Sequence, residues 1–466
     1  MKKIIYSLLA FVIAFTGCND LEVENKAALP RSVVLGDVDG YSAFLSAAYE
    51  SVNDFGYYGQ TMMIGPEILA DNMELVQLTG RYQLEYVNAV NSGIGIWGNR
   101  YTAIQECNVI IGSINDESVV GTVDEKNDLI GQALFLRALF YHDLARVYGY
   151  EPGREVNGWN LSVPLKTEPT FGLSNVVDLP RSTNVEVYEQ IEQDLLQAIS
   201  LLSDVTPGTS AVIFANRNAA RLLLARVYLY WGRSADAANL ALQVIAGDGS
   251  DLVAAADYDD SWDDAQNAFH PESLFESELR SPDWSTVDGP NNSLHSLLMN
   301  NSGGAQFIIA ASDELLAEIA SEPTDVRGAL FNTESLGEEF TKWRATGGPV
   351  PFMENIPILR LSEGYLIAAE ALGAGAGDVY LNALRTARGI ATPATATVDN
   401  VLRERRIEFM AEGHRWFDLK RLGRNIPKPA VSGANTLPAN DFKMLPRLPQ
   451  GELNLSDELR QNPGYN

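Results

Sequence analysis

The chain has 466 residues, of which 46% are hydrophobic and 20% are charged, so it can bury a large core and disorder is not expected. Its formal net charge is −27. A nucleic-acid partner is therefore not expected, because a polyanion needs a basic surface that releases its counterions. Strongly anionic polysaccharides are disfavoured for the same reason unless a local basic patch is present. The acidity mainly favours solubility.

The first residues have the composition of a secretory signal that ends in a lipidation site. Two lysines precede an apolar run, residues 4–15, and Cys18 follows after two small residues. About 12 apolar residues are too few for a membrane-spanning helix, which needs about 20. We therefore expect residues 1–17 to be removed, Cys18 to be lipidated and residues 18–30 to form a polar tether. Phe15 departs from the aliphatic residue usual at that position of such signals.

Helical periodicity dominates the rest of the chain, and no succession of alternating strands is apparent. In residues 218–245 two helices meet at Gly232, with small residues at the spacing of a tetratricopeptide repeat unit. Residues 359–388 predict a second such pair. Residues 131–148 and 185–202 predict a third, split by a long loop. Stacked pairs bury faces that no single pair can bury alone, so we predict an all-α, solenoid-like scaffold of tetratricopeptide-like helix pairs.

Three long irregular stretches interrupt this scaffold, at about 151–181, 248–304 and 321–357. Loops of this length in a compact protein are usually either functional or disordered. Their tryptophans favour order, and therefore function. No stretch resembles a flexible linker between independent units. We predict a single domain over residues 18–466 with an irregular, loop-rich face that carries inserted ligand loops.

Five motifs follow one another along the chain in a characteristic order. They are GQALFLRALFY at 131–141, RNAARLLLARVY at 217–228, LRLSEGY at 359–365, ERRIEFMAEGHRWFDLKR at 404–421 and QNPGY at 461–465. Together with the lipoprotein-type start, this ordered set resembles the SusD/RagB family of outer-membrane glycan-binding lipoproteins from Bacteroidetes. The segment at 404–421 is the most specific of the five.

The resemblance implies a fold and a role. The fold is a SusD-like superhelix of tetratricopeptide-like helix pairs. The role is that of a lipid-anchored protein on the outer surface of the outer membrane. Such a protein captures oligo- or polysaccharide for import through a SusC-like TonB-dependent transporter. A peptide-binding or scaffold adaptor of the tetratricopeptide-like type is the alternative, and a glycoside hydrolase is a third.

The charged segment near the C-terminus could be mistaken for a catalytic site. Glu404, Glu408 and Glu412 share one face of a helix next to His414 and Asp418. Paired carboxylates cleave glycosides only when they flank a bond in a cleft. Neighbouring arginines lie at i, i+4 spacing, so we interpret the segment as a structural ion network. The four histidines have no metal-ligand spacing. We expect no enzyme, no metal site and no cofactor.

Sugar binding needs aromatic rings for the C–H faces of the sugar and planar polar groups for its hydroxyls. We therefore expect the site to consist of Trp and Tyr in loops, near Asp, Asn, Arg or Gln. Trp97 can equally well pack in the core, because tryptophan is commonly mostly buried. The family that the sequence resembles often places glycan-contacting residues in the region that corresponds to residues 71–100. The candidates are Asp71, Asn72, Arg81, Tyr82, Trp97 and Arg100 in the first cluster, Trp284 and Asn291 in the second, Trp343 in the third, and Tyr58 between two glycines.

Overall fold

The computed structural model describes residues 34–172, 176–247, 251–263, 269–279, 288–300, 305–334, 336–344 and 352–465. The expectations for the signal (1–17), for Cys18 and for the tether (18–30) lie outside these ranges, as does Trp284. The described ranges contain sixteen α-helices and six short strands, which confirms the helical fold class. The helices are α1 (Val38–Asn53), α2 (Thr61–Ile68), α3 (Gln83–Tyr86), α4 (Trp97–Ser113), α5 (Val123–Tyr148), α6 (Asn184–Leu201), α7 (Arg217–Tyr230), α8 (Ser234–Ile245), α9 (Asp288–Asn292), α10 (Leu294–Leu298), α11 (Asp313–Ala320), α12 (Leu361–Leu372), α13 (Asp378–Ala387), α14 (Val398–Glu408), α15 (Arg415–Arg421) and α16 (Gln450–Leu455).

The predicted helix pairs are confirmed and stack in chain order. Helix α5 packs on α6, α7 on α8, and α12 on α13, while α6 contacts α7 and α8 contacts α12. The row is extended at its start by α4, which packs on both α1 and α5. Close approach of α5 and α6 requires Gly131, because a Cβ atom there would lie 2.9 Å from Cγ of Leu202.

Two of the scaffold helices begin at capping boxes. The Thr122 hydroxyl accepts a hydrogen bond from the backbone N–H of Glu125, whose carboxylate accepts from the Thr122 N–H. Thr183 and Glu186 make the same reciprocal pair at the start of α6. Such boxes satisfy backbone donors that a helix leaves free at its first turn. They define where each helix starts on either side of the long loop between α5 and α6.

Short strands, which the sequence did not predict, lie mostly in the irregular stretches. They form three antiparallel pairs, β1 with β3, β2 with β6 and β4 with β5. Each has three to five residues, which is too short for a period-of-two pattern to be distinctive. The strands are β1 (Met73–Leu75), β2 (Ser273–Ser277), β3 (Ile309–Ala311), β4 (Phe331–Glu334), β5 (Gly337–Phe340) and β6 (Ile356–Arg360).

The glutamates near the C-terminus form the predicted structural ion network. Oε1 of Glu408 lies 2.8 Å from Nη2 of Arg388 and 3.1 Å from Nη1 of Arg360. Arg360 also pairs with Glu412 at 2.6 Å. The predicted i, i+4 partners were wrong, because α14 is buried against α12 and other segments, and these supply the opposite charges. Burial alone would raise the pKa of Glu408. The charges of Arg388 and Arg360 outweigh this effect and hold that pKa well below its usual value.

Candidate functional site

The turn between α1 and α2 joins two distant parts of the irregular face. The side-chain amide of Asn53 donates to the carbonyl oxygen of Glu278 at 3.0 Å. At the other end of the turn, Gln60 donates to the carbonyl oxygen of Asn292 at 2.7 Å. Glu278 and Asn292 stand on either side of the stretch that contains Trp284. The turn therefore anchors both flanks of that stretch.

Next to this turn, five planar polar side chains form two adjoining hydrogen-bonded sets, Gln60 with Tyr82 and Arg81 with Asn291 and Gln306, together called the polar cluster here. The Tyr82 hydroxyl donates to Oε1 of Gln60 at 3.0 Å. Nη1 of Arg81 donates to Oε1 of Gln306 at 3.1 Å and also to the carbonyl oxygen of Asn291. Gln306 in turn donates to Oδ1 of Asn291 at 2.6 Å.

All five side chains of the polar cluster are half-buried, so they are fixed in place and still reach solvent. The arginine offers a planar fork of donors, and the amides offer both donors and acceptors. Burial, and secondarily the carboxylate of Glu85, raises the pKa of Tyr82, so its phenol stays protonated at neutral pH. The arrangement suits hydroxyl groups, which need both kinds of partner.

The polar cluster contains three of the sequence-predicted site residues, Arg81, Tyr82 and Asn291. Gln60 and Gln306 were missed. Isolated glutamines carry no aromatic ring, the feature from which the sugar-binding residues were predicted. The only sequence signal was that Gln60 directly follows the Gly-Tyr-Tyr-Gly segment that contains Tyr58.

A cavity of about 320 Å³ borders the same turn and is lined in part by Asn53. Its aromatic wall includes Phe214, which is 49% exposed, and Tyr49, whose ring meets that of Phe214 edge-on at 5.5 Å. An exposed ring beside polar side chains is a surface on which a pyranose can stack.

Two candidate tryptophans are in the core: this selects the core alternative that the sequence left open for Trp97, and it corrects the assignment of Trp343 to a ligand surface. Trp97 is 4% exposed and meets the ring of Tyr148 edge-on at 5.0 Å. Trp343 is 2% exposed, and its Nε1 donates to the carbonyl oxygen of Ala411 at 3.0 Å. Large rings contribute more apolar burial than any other side chain, and tertiary packing from distant segments covers both.

Four further candidates are also buried in structural contacts, which corrects their assignment to a ligand surface. Asp71 and Asn72 both contact Arg406. Asp71 forms an ion pair with it at 3.1 Å, and Oδ1 of Asn72 accepts a hydrogen bond from it at 2.8 Å. Arg100 is 1% exposed and donates to a carbonyl oxygen of α1 at 2.6 Å. Tyr58 is buried as well. A charged or polar group that is buried needs such partners, and these residues have them inside the protein.

No group of three or more His, Cys, Asp or Glu side chains is placed to hold a metal ion in the described parts of the chain. Within those same ranges, no helix combines the length and apolar character that crossing a bilayer requires.

Two protein-family models match the chain. One, described as starch-binding and associating with the outer membrane, matches residues 58–229, and the other, described as the SusD family, matches residues 352–465. A solved SusD superfamily protein from Bacteroides vulgatus is 30% identical, covers 92% of this chain and 99% of its own, and has a TM-score of 0.81. A putative sugar binding protein from the same species is 28% identical over 93% of this chain and 100% of its own, with a TM-score of 0.81. The SusD-like protein P2 of Formosa agariphila is 24% identical over 100% of both chains.

Proposed function

The chain belongs to the SusD/RagB family, and on that basis we propose that it binds oligo- or polysaccharide at the cell surface. The observation that carries the proposal is the polar cluster. It brings Arg81 to Asn291, 210 positions away in the sequence, and holds both half-exposed beside Tyr82. A preorganised group of planar donors and acceptors is what sugar hydroxyls require.

The proposal extends to location and partner. We propose that Cys18 carries a lipid anchor in the outer membrane, that the protein faces the outside, and that it delivers glycan to a SusC-like TonB-dependent transporter. Support comes from the matched family model, whose description includes outer-membrane association. It also comes from the lipoprotein-type start of the sequence.

We further propose that the protein binds its glycan without cleaving it. Glu404, Glu408 and Glu412 are the carboxylates that most resemble a catalytic set, and each is buried in ion pairs with arginine or lysine. Carboxylates engaged in this way are not free to flank a glycosidic bond. An open site with few buried polar contacts predicts micromolar affinity, about −8 kcal/mol.

The test is a binding screen of the soluble form that lacks residues 1–18, using affinity gels that contain individual polysaccharides. The net charge of the chain favours neutral glycans, so glucans and fructans should be included. We expect at least one polysaccharide to retard the protein, and Arg81→Ala to weaken that binding about tenfold through the loss of charge-assisted hydrogen bonds. Trp284→Ala should weaken it as well, since we retain Trp284 as a proposed contact.

The matched control is Gln243→Ala, which removes an exposed amide on α8 and should leave retardation unchanged. Retention of a peptide but of no polysaccharide would instead support the adaptor function. If Arg81→Ala and the wild-type chain are retarded equally, the polar cluster does not bind the glycan.

A further inference from the structure

A second and larger cavity, of about 620 Å³, lies between the loop that follows α5 and the C-terminal segment. It shares no lining residue with the polar cluster or with the cavity beside Asn53. Its volume is within the range of about 300–1,000 Å³ that is typical of small-molecule sites. The residues that matter for its chemistry are Tyr150, Asn157, Trp159, Asn440, Phe442 and Arg460.

We propose that this cavity is a second carbohydrate site, one that takes an uncharged saccharide unit stacked on Trp159. The inference rests on the proposed function, because it assumes that the protein meets glycans. It adds a location, a set of residues and a preference for neutral sugar.

The walls of this cavity are tied together by one buried cation. The guanidinium of Arg181 donates to the carbonyl oxygen of Tyr148 at 2.9 Å on one wall. On the other wall it donates to Oδ1 of Asn462 at 2.9 Å and to the carbonyl oxygen of Arg460 at 3.0 Å. Burial lowers the pKa of Arg181 to about 10, so it remains charged at neutral pH. The cavity is therefore formed before a ligand arrives, which reduces the entropic cost of binding.

Aromatic side chains supply the apolar surface of the cavity. Trp159 is half-buried, and its ring lies 5.6 Å from the guanidinium of Arg181 and 5.4 Å from that of Arg460. Phe442 is also half-buried and lines the same cavity. Pyranose rings present C–H faces that stack on such rings, and tryptophan offers the largest area.

Polar side chains that have no hydrogen-bond partner among the described residues line the cavity beside these rings. Within the described ranges, the exposed guanidinium of Arg460 has no hydrogen bond or ion pair. The exposed side-chain amides of Asn157 and Asn440 likewise have no hydrogen bond to any described residue. Such groups can bind sugar hydroxyls at little cost, because no internal bond has to be broken first.

Charges of both signs surround the cavity: the guanidiniums of Arg181 and Arg460 lie near the Trp159 ring, and Lys420 pairs with Glu151 at 2.9 Å. Arg460 is the exposed cation that lines the cavity. Burial is the main cause that raises the pKa of Tyr150 to about 12, and the nearby carboxylates of Glu151 and Asp441 add to the shift. The preference for a neutral sugar follows from the formal net charge of the whole chain, −27, which repels an acidic sugar.

The test uses the whole chain, purified in detergent, and calorimetric titration with maltohexaose, laminarihexaose and xylohexaose. We expect one of these to bind in two classes of site. Arg81→Ala should weaken one class about tenfold, and Arg460→Ala should weaken the other by about the same factor. Trp159→Ala should abolish the second class, provided that its melting temperature shows it to be folded. Arg424→Ala, at an exposed arginine outside the cavity, should change neither class.

The outcomes separate this inference from the proposed function. If Arg460→Ala and the wild-type chain give superimposable isotherms while Arg81→Ala weakens binding about tenfold, the second site is wrong and the proposed function stands. If binding depends on Arg460 but not on Arg81, the second site stands and the polar cluster is not a glycan site. If the wild-type chain binds none of the three hexasaccharides, or binds peptides of a casein digest in an Arg460-dependent way instead, the inference is overturned.

Discussion

Arg226 and Glu363 form a two-pronged ion pair in the interior, with Nε to Oε1 at 2.7 Å and Nη2 to Oε2 at 2.6 Å. Both side chains are 2% exposed. Arg226 belongs to α7 and Glu363 to α12, and the two lie in separate sequence motifs, at 217–228 and 359–365. The pair joins two helices of the stacked scaffold. Residues that made the sequence recognisable therefore act in holding the helix pairs together.

Breaking this ion pair on one side should be costly. Arg226→Met or Glu363→Leu leaves a buried charge without its partner, and we expect a loss of about 3–5 kcal/mol in the free energy of unfolding. The double variant should recover most of that loss, because two apolar side chains of similar size need no counter-charge. Urea unfolding followed by circular dichroism measures all three.

The matched control for the buried pair is Arg424→Ala, which breaks an exposed pair with Asp399. Exposed pairs contribute at most about 1 kcal/mol, so this variant should unfold close to the wild-type chain. If Arg226→Met and Glu363→Leu are as stable as Arg424→Ala, the buried ion pair does not hold the two helices together.

His142 predicts a pH dependence of stability. Its ring is fully buried between Tyr188 and Tyr230, and neither nitrogen has a hydrogen-bond partner in the described part of the chain. Burial, together with the charges of Arg146 and Arg226, holds the pKa of His142 well below 6.5. Below pH 6.5 the unfolded chain takes up a proton at this position that the folded chain does not, so folded stability falls as the pH falls.

His142→Phe should remove this pH dependence. The stability of the variant relative to the wild-type chain should increase by about 1.4 kcal/mol for each pH unit below 6.5. Comparing unfolding at pH 7.5 and pH 5 isolates the effect, since other titrating groups are common to both proteins. A stability difference that is the same at both pH values would show that His142 is protonated in the folded state.

The helical scaffold was predictable because its information is local. Gly232 and the small residues around it mark a tight helix pair, and Thr183 with Glu186 marks a helix start, within a few positions of sequence. The short strands were not predictable. Strands β2 and β6, for example, pair with each other across the irregular face, where Phe275 lies opposite Leu359. Nonlocal pairing of three to five residues leaves little pattern in either segment.

The candidate site was predictable only in part, for a related physical reason. Arg81, Tyr82 and Asn291 were identified from residue chemistry, and the structure brings them together. Whether a ring such as Trp97 faces solvent depends on segments far away in the sequence, which composition cannot reveal. Trp159 was inside a predicted ligand loop but was not singled out, since its neighbours along the chain do not show that the C-terminal segment folds against it.

Two substitutions should separate core residues from ligand-binding residues. Trp97→Ala should lower the free energy of unfolding by about 3–5 kcal/mol, because it leaves a cavity in the core. Arg81→Ala, at a half-exposed position, should leave the melting temperature nearly unchanged and reduce retardation on a glycan-containing gel. If Trp97→Ala keeps its melting temperature and loses glycan binding, the ring contacts the ligand and is not a core residue.

Lipidation predicts a chemical difference between the two cysteines of the chain, Cys18 and Cys107. Cys107 is fully buried in α4, and burial raises the pKa of its thiol, so it should be unreactive in the folded protein. Cys18→Ser should abolish incorporation of labelled palmitate and move the protein from the membrane fraction to the soluble fraction. Cys107→Ala should keep both the label and the membrane association, because its thiol lies away from any membrane in the interior of the fold. Continued palmitate incorporation in Cys18→Ser would show that the lipid is attached at another residue.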